Sequence, residues 1–152
     1  MTAPSQTAAP TPQERALIDA ARAAMQSTHA PYSRFAVGAA LRLSDGTILT
    51  GSNLENASYG LSLCAETVAL AAAHAQGRTR DIVAIAVIGA PMGGPAGMMV
   101  TPCGRCRQML KEAQDRAGRD IAILCAAADG DTVARYDLDT LLPHAFGPAS
   151  LG

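Results

Sequence analysis

The sequence predicts an α/β protein, a three-layer α/β/α sandwich around a five-stranded mixed sheet. Three observations lead there. Helical and strand patterns interleave along the chain in the order helix, two strands, helix, strand, helix, two strands, helix. Residues 82–88 and 121–127 are apolar on both faces, as strands covered by helices on either side must be. The last two strand patterns are joined only by Asp129-Gly130-Asp131, too little chain for a crossover, so that pair is antiparallel.

The elements follow in order. Thr11-Pro12-Gln13-Glu14 is a capping box with Pro at the first helical position. Leu17, Ala21, Ala24, Met25 and Thr28 repeat at helical spacing until Pro31 stops the element. Residues 37–43 and 47–52 read as two strands folded back at Asp45-Gly46. Cys64, Val68, Ala71, Ala72 and Ala75 mark one face of a second helix that closes near Gly77. Residues 82–88 form the next strand, and the strand-helix-strand step that follows it is expected to be parallel and right-handed. A Gly-, Pro- and Met-rich loop over 90–100 leads to Pro102 and a third helix carrying Cys106, Met109, Leu110, Ala113 and Ala117. Strands over 121–127 and 132–136 and a short helix over 138–142, ended by Pro143, complete the chain.

Composition bounds the function. At 152 residues the chain is one domain, here 12–152, large enough to bury a core. Residues 1–11 are mostly Ala, Thr and Pro, without the basic and apolar regions of a secretory signal, and read as a disordered tail. A net charge of −1 gives no footprint for a nucleic-acid backbone. No apolar run reaches spanning length, which excludes a membrane helix. The four cysteines are then expected in a reducing cytoplasm, where metal ligation or catalysis outweighs disulfides.

Three of those cysteines carry the chemistry. Cys103 and Cys106 stand at i and i+3 on the first turn of a predicted helix, so both sulfurs point to one side. Cys64 opens another helix. Unpaired N–H groups and the positive dipole end at helix starts favour thiolate over thiol. Three thiolates converging there suit a zinc ion with one position left open, the arrangement of a catalytic rather than a structural site. Glu66, two residues after Cys64, can lean over that open position and move protons. Cys125, inside an apolar strand, reads as core, and His29, His74 and His144 lack ligand spacing.

Cys64-Ala65-Glu66 with Pro102-Cys103-Gly104-Arg105-Cys106-Arg107-Gln108 resembles the zinc-dependent cytidine deaminase family, in its three-cysteine, homotetrameric branch. The likeness extends to Pro31-Tyr32-Ser33-Arg34-Phe35-Ala36-Val37-Gly38-Ala39-Ala40, to Asn53-Leu54-Glu55-Asn56 and to Leu141-Leu142-Pro143-His144-Ala145-Phe146-Gly147. It implies hydrolytic deamination of free cytidine and deoxycytidine in pyrimidine salvage, with one Zn2+ per subunit on Cys64, Cys103 and Cys106. It implies that Glu66 shuttles protons from water to the base and the leaving amine. It places Asn53 and Glu55 on the sugar hydroxyls and Phe35 against the base, with the backbone at Ala65 and near Thr101 on the base edges. Tyr59 and Phe146 match positions that reach a neighbouring subunit's site in a homotetramer. One departure stands out: many relatives carry Arg after the Glu, where this chain has Thr67. Arg107 is the expected substitute, donating to a ligand sulfur to offset thiolate charge.

Three other functions fit parts of the pattern. A structural or redox zinc module would need a fourth ligand. A polynucleotide deaminase would need a basic, aromatic-lined path, which this near-neutral, aromatic-poor chain lacks. A deaminase of nucleoside antibiotics of the blasticidin S type shares the Pro-Cys-Gly-Arg-Cys-Arg-Gln run, while the intact Asn53-Leu54-Glu55-Asn56 and the Phe35 context favour cytidine.

Overall fold

The computed structural model describes residues 6–152. Its elements are β1 (Gln6–Ala8), α1 (Pro12–Ala24), β2 (Phe35–Leu43), β3 (Ile48–Ser52), α2 (Ala65–Ala75), β4 (Ile82–Pro91), α3 (Gly104–Ala117), β5 (Ala122–Ala126), β6 (Val133–Tyr136) and α4 (Leu138–Leu141), with short 3-10 turns between them. They form one mixed sheet in the order β1-β6-β5-β4-β2-β3. Only the β4–β5 pair is parallel among the described residues, with Val87 opposite Cys125, and β5–β6 is antiparallel as expected.

Side-chain alternation divides the core into two layers. Ala40, Ala84, Ala86 and Ile88 point to one face, where Leu17, Ile18 and Ala21 of α1 cover them. Leu41, Ile85, Val87, Ile123 and Cys125 point to the other, under Ala69, Leu70 and Ala73 of α2 and Leu110 and Ala113 of α3. Helices on both faces make the expected three-layer sandwich. No helix among the described residues is long and apolar enough to cross a membrane.

The sheet has six strands, not five. Gln6–Ala8 pairs antiparallel with β6, Thr7 opposite Ala134. This also corrects the expectation of a disordered tail over 1–11 at 6–8; residues 1–5 lie outside the described ones. The reason is local. Without β1, β6 would be an open edge presenting unpaired backbone groups. The arriving chain is held by Arg135, whose Nη2 donates to the Ala9 carbonyl at 3.1 Å and to Glu14 Oε2 at 2.7 Å, while its Nε donates to Glu14 Oε1 at 2.7 Å. Glu14 also completes the capping box: its Oε2 accepts from the Thr11 N–H, and the Thr11 hydroxyl accepts from the Glu14 N–H. One largely buried carboxylate thereby starts α1 and anchors the sheet edge. A short alternating stretch rich in Ala and Thr carries too little apolar signal to reveal this from sequence.

Gly51 decides how close α2 lies to the sheet. A Cβ there would fall 2.4 Å from the Ala65 carbonyl oxygen and 2.6 Å from the Ala69 nitrogen, both backbone atoms that cannot swing away. The start of α2 is pressed onto β3 through this gap.

Two expectations follow. Gly51→Ala should destabilise the protein by about 1–3 kcal/mol in denaturant unfolding, because backbone must move to relieve the overlap. The Arg135 guanidinium bonded to Glu14 holds its carboxyl down at about 2. A carboxyl lowered in the folded state stabilises above its ordinary value of 4.5, and that contribution is lost as pH falls from there toward 2. Chemical denaturation between pH 6 and pH 2 should show about 1–2 kcal/mol of this dependence disappearing in Glu14→Gln.

Candidate active site

The two helices over one face of the sheet begin side by side. Cys64 is the N-cap of α2 and Cys103 the N-cap of α3, each in extended backbone conformation, and neither side chain caps its own helix. Cys106 sits in the first turn of α3 and is fully buried. The sulfurs of Cys64 and Cys103 are 3.8 Å apart, and all three lie within 4.8 Å of one another. A tetrahedral zinc with Zn–S bonds near 2.3 Å separates its sulfurs by about 3.8 Å. Among the described residues the donor set is three soft sulfurs, which suits zinc with one position for a reactant.

Electrostatics act on these groups in opposite directions. The Cys64 thiol is drawn down to about 6, chiefly by a hydrogen bond with Cys106, with Cys103 and the charge of Arg105 adding to it against the effect of burial. Cys106 is pushed up in turn, since the shared proton stays on its sulfur and burial opposes a second charge. Glu66, in the first turn of α2, is only 4 % exposed. Burial raises its carboxyl above the ordinary range, and the Cys64 charge adds to the effect. A carboxyl held ready to keep or release a proton therefore stands beside the sulfur cluster.

A cavity of about 290 Å³ opens over the sulfurs. Of the residues expected at a site, Phe35, Asn53, Glu55, Cys64, Ala65, Glu66 and Cys103 line it, as does Thr101. The polar pair does more than face the cavity. Asn53 Oδ1 accepts from the Val37 N–H at 2.8 Å and from the Thr28 hydroxyl at 2.9 Å, while Nδ2 donates to the Phe35 carbonyl at 2.9 Å. Its amide orientation is thus determined, with one Nδ2 hydrogen left to the cavity side. Glu55 Oε2 accepts from the N–H groups of Tyr32 and Ser33 at 2.9 and 3.2 Å. A hydrogen bond with the Ser33 side chain leads in holding this carboxyl below its ordinary range, and the Tyr32 and Ser33 N–H groups add to it against burial. Together Asn53 and Glu55 grip the backbone on both sides of Phe35.

Tyr59 and Phe146 lie outside this cavity. Tyr59 is 72 % exposed, its ring 5.5 Å from that of Tyr32 at an adjoining hollow that shares Glu55 and Ser62 with the cavity. Phe146 is 58 % exposed, and its carbonyl accepts from the Gln108 side chain at 2.9 Å.

This arrangement of sulfurs, acid and cavity has counterparts. The sequence profile described as the cytidine and deoxycytidylate deaminase zinc-binding region matches residues 11–118. The chain belongs to that family. It is 45 % identical over 130 residues to a cytidine deaminase of Halalkalibacterium halodurans, covering 86 % of this chain and 91 % of that one. It is 42 % identical over 124 residues to a cytidine deaminase of Mycobacterium tuberculosis, covering 82 % of each. Among solved structures, cytidine deaminase from Burkholderia pseudomallei superposes with a TM-score of 0.75 at 44 % identity, covering 87 % of this chain and 98 % of that one. In this zinc-binding family the three cysteines are the ligand set that fits, and Glu66 is the acid beside them.

One expectation for this family member fails. Arg107 does not donate to a ligand sulfur. Its Nε donates to the Pro102 carbonyl at 2.7 Å, Nη1 to the Leu141 carbonyl at 2.9 Å and Nη2 to the Thr101 hydroxyl at 3.0 Å. Oxygen acceptors on the loop before α3 and at the end of α4 satisfy the planar fork better than a sulfur would, and Arg107 instead secures the cavity-lining Thr101. Arg105 is the arginine whose charge acts on Cys64.

Other residues escaped the sequence reading. Gly89 of β4 lies behind Phe35: a Cβ there would come within 2.9 Å of the Phe35 ring and of Val100, so its absence seats the aromatic. Thr28 orients Asn53 from a different element. Neither has a local signal, because each acts on a partner far away in the chain.

Cys103→Ser should abolish binding of one zinc per chain, measured by metal analysis after gel filtration. Cys125→Ala, which alters a sulfur buried in β5, should retain it.

Proposed function

We propose that this chain is a cytidine deaminase that converts free cytidine and deoxycytidine, with water, to uridine and deoxyuridine plus ammonia. The observation that carries this reading is the buried Glu66 carboxylate beside three convergent cysteines, facing a cavity lined by one aromatic ring and the Asn53–Glu55 pair.

When bound on Cys64, Cys103 and Cys106, zinc supplies the Lewis acidity that brings ionisation of water near neutral pH. The protein's own groups do the rest. Glu66 takes a proton from the attacking water as its oxygen bonds to C4, and passes that proton to N3 of the ring. It then carries the second water proton to the 4-amino group, the C4–N4 bond breaks, and ammonia leaves. A carboxyl already raised by burial suits both directions of transfer. Phe35 lies against the base, and the backbone at Ala65 and Thr101 reads its edges. Asn53 and Glu55 receive the sugar hydroxyls through the one Nδ2–H that the bonds of Asn53 leave over and through the Glu55 carboxylate.

The exposure of Tyr59 and Phe146 outside their own cavity supports a homotetramer in which they complete the sites of neighbouring subunits. Four free cysteines support a cytoplasmic enzyme of pyrimidine salvage. The near-neutral charge supports a single nucleoside as the partner, with neither nucleic acid nor membrane. The antibiotic alternative of the blasticidin S type gains no support from the relatives named above, each a cytidine deaminase.

The test is ammonia release from cytidine, deoxycytidine, cytosine, cytidine monophosphate and blasticidin S by the zinc-loaded protein. Turnover of the two nucleosides alone is expected, falling by about 10²–10⁴-fold in Glu66→Gln with zinc retained. Turnover of blasticidin S alone would replace this reading, and silence on all five would remove it.

A further inference from the structure

Zinc with three thiolates carries one net negative charge, and the buried Glu66 beside it adds another when ionised. Cys64 and Cys103 are N-caps, placed at the unpaired N–H groups of their helices. Cys106 differs. It lies inside the first turn of α3, fully buried, with its sulfur turned toward α2.

The donor facing it is Thr67, the residue after Glu66. Thr67 is 7 % exposed. Its hydroxyl oxygen lies 3.3 Å from the Met109 sulfur and 3.9 Å from the Cys106 sulfur, and both partners are sulfur. The usual acceptor for a helical threonine is the carbonyl four residues back, here that of Leu63. That carbonyl instead accepts the Leu54 N–H at 2.9 Å. A hydroxyl this buried is costly unless it donates. A thioether is a weak, neutral acceptor, whereas a thiolate carries charge and accepts more strongly. Rotation about the C–O bond swings the hydrogen from one sulfur to the other without moving a heavy atom.

We propose that Thr67 is a positioning residue whose hydroxyl donates to the Cys106 thiolate and holds it in the metal site. This rests on the reading that Cys64, Cys103 and Cys106 bind zinc. Thr67 touches no reacting atom; it acts through the sulfur, from the helix opposite the one that bears it.

The experiment compares zinc-loaded wild type, Thr67→Val and Thr67→Ser. Valine keeps the shape and removes the hydroxyl, and serine keeps the hydroxyl. Zinc affinity is measured by competition with a chromogenic chelator, and the sulfur-to-metal charge-transfer band is recorded after cobalt substitution. Thr67→Val is expected to bind zinc about tenfold more weakly, with the cobalt band moved to lower energy, and Thr67→Ser to stay within about twofold of wild type. Circular dichroism checks the fold; should Thr67→Val not fold, Thr67→Ala takes its place. Wild-type affinity and spectrum in the valine variant would overturn the proposal. So would equal weakening in the valine and serine variants, which would mark a packing effect. Failure of wild type itself to bind one zinc per chain would instead remove the zinc reading, and the proposal with it.

Discussion

The site depends on the convergence of two helix starts. α2 and α3 follow strands of the same sheet and cover the same face, so their first turns meet. Each start has unpaired N–H groups and the positive end of a dipole, and each has at its N-cap position a cysteine whose side chain makes no capping bond, rather than a capping Ser, Thr or Asp. The close seat of α2 on β3 at Gly51 holds Cys64 and Glu66 at their depth. Everything chemical rests on that packing.

A second constraint joins recognition to scaffold. Asn53 and Glu55 bind the backbone around Phe35 with most of their hydrogen-bonding capacity and face the cavity with the remainder. The cavity-lining aromatic and the two polar side chains are therefore one hydrogen-bonded unit, pinned from outside by Thr28 and given room by Gly89. Such coupling pre-organises a site, because the groups that meet the ligand are already immobilised by the fold.

Charge is managed in layers around the sulfurs. Cys64 and Cys103 sit at helix starts, the charge of Arg105 acts on Cys64, and the Thr67 hydroxyl faces Cys106. Arg107 serves the Thr101–Pro102 loop instead. Sequence adjacency to a ligand made Arg107 the natural candidate, and side-chain direction gave the task to others.

Much of this was legible in the sequence, for stated reasons. The capping box before α1, the doubly apolar strands β4 and β5 and the tight β5–β6 turn are local patterns, and the structure bears each of them out. Cys64, Glu66, Cys103 and Cys106 could be picked out because residue type and i, i+3 spacing carry their own chemistry. What spacing could not reveal were relations across the chain: β1 on β6, the double duty of Glu14, the grip of Asn53 and Glu55 on the Phe35 strand, and the partners of Arg107. The sequence by itself determined the order of elements, the layers they form and the candidate metal-binding and acid groups, because those follow from periodicity and from the chemistry of single residues. Only the tertiary structure decided which donors reach which acceptors, because a hydrogen bond is set by direction and distance in space, and neither is written in the spacing of residues along the chain.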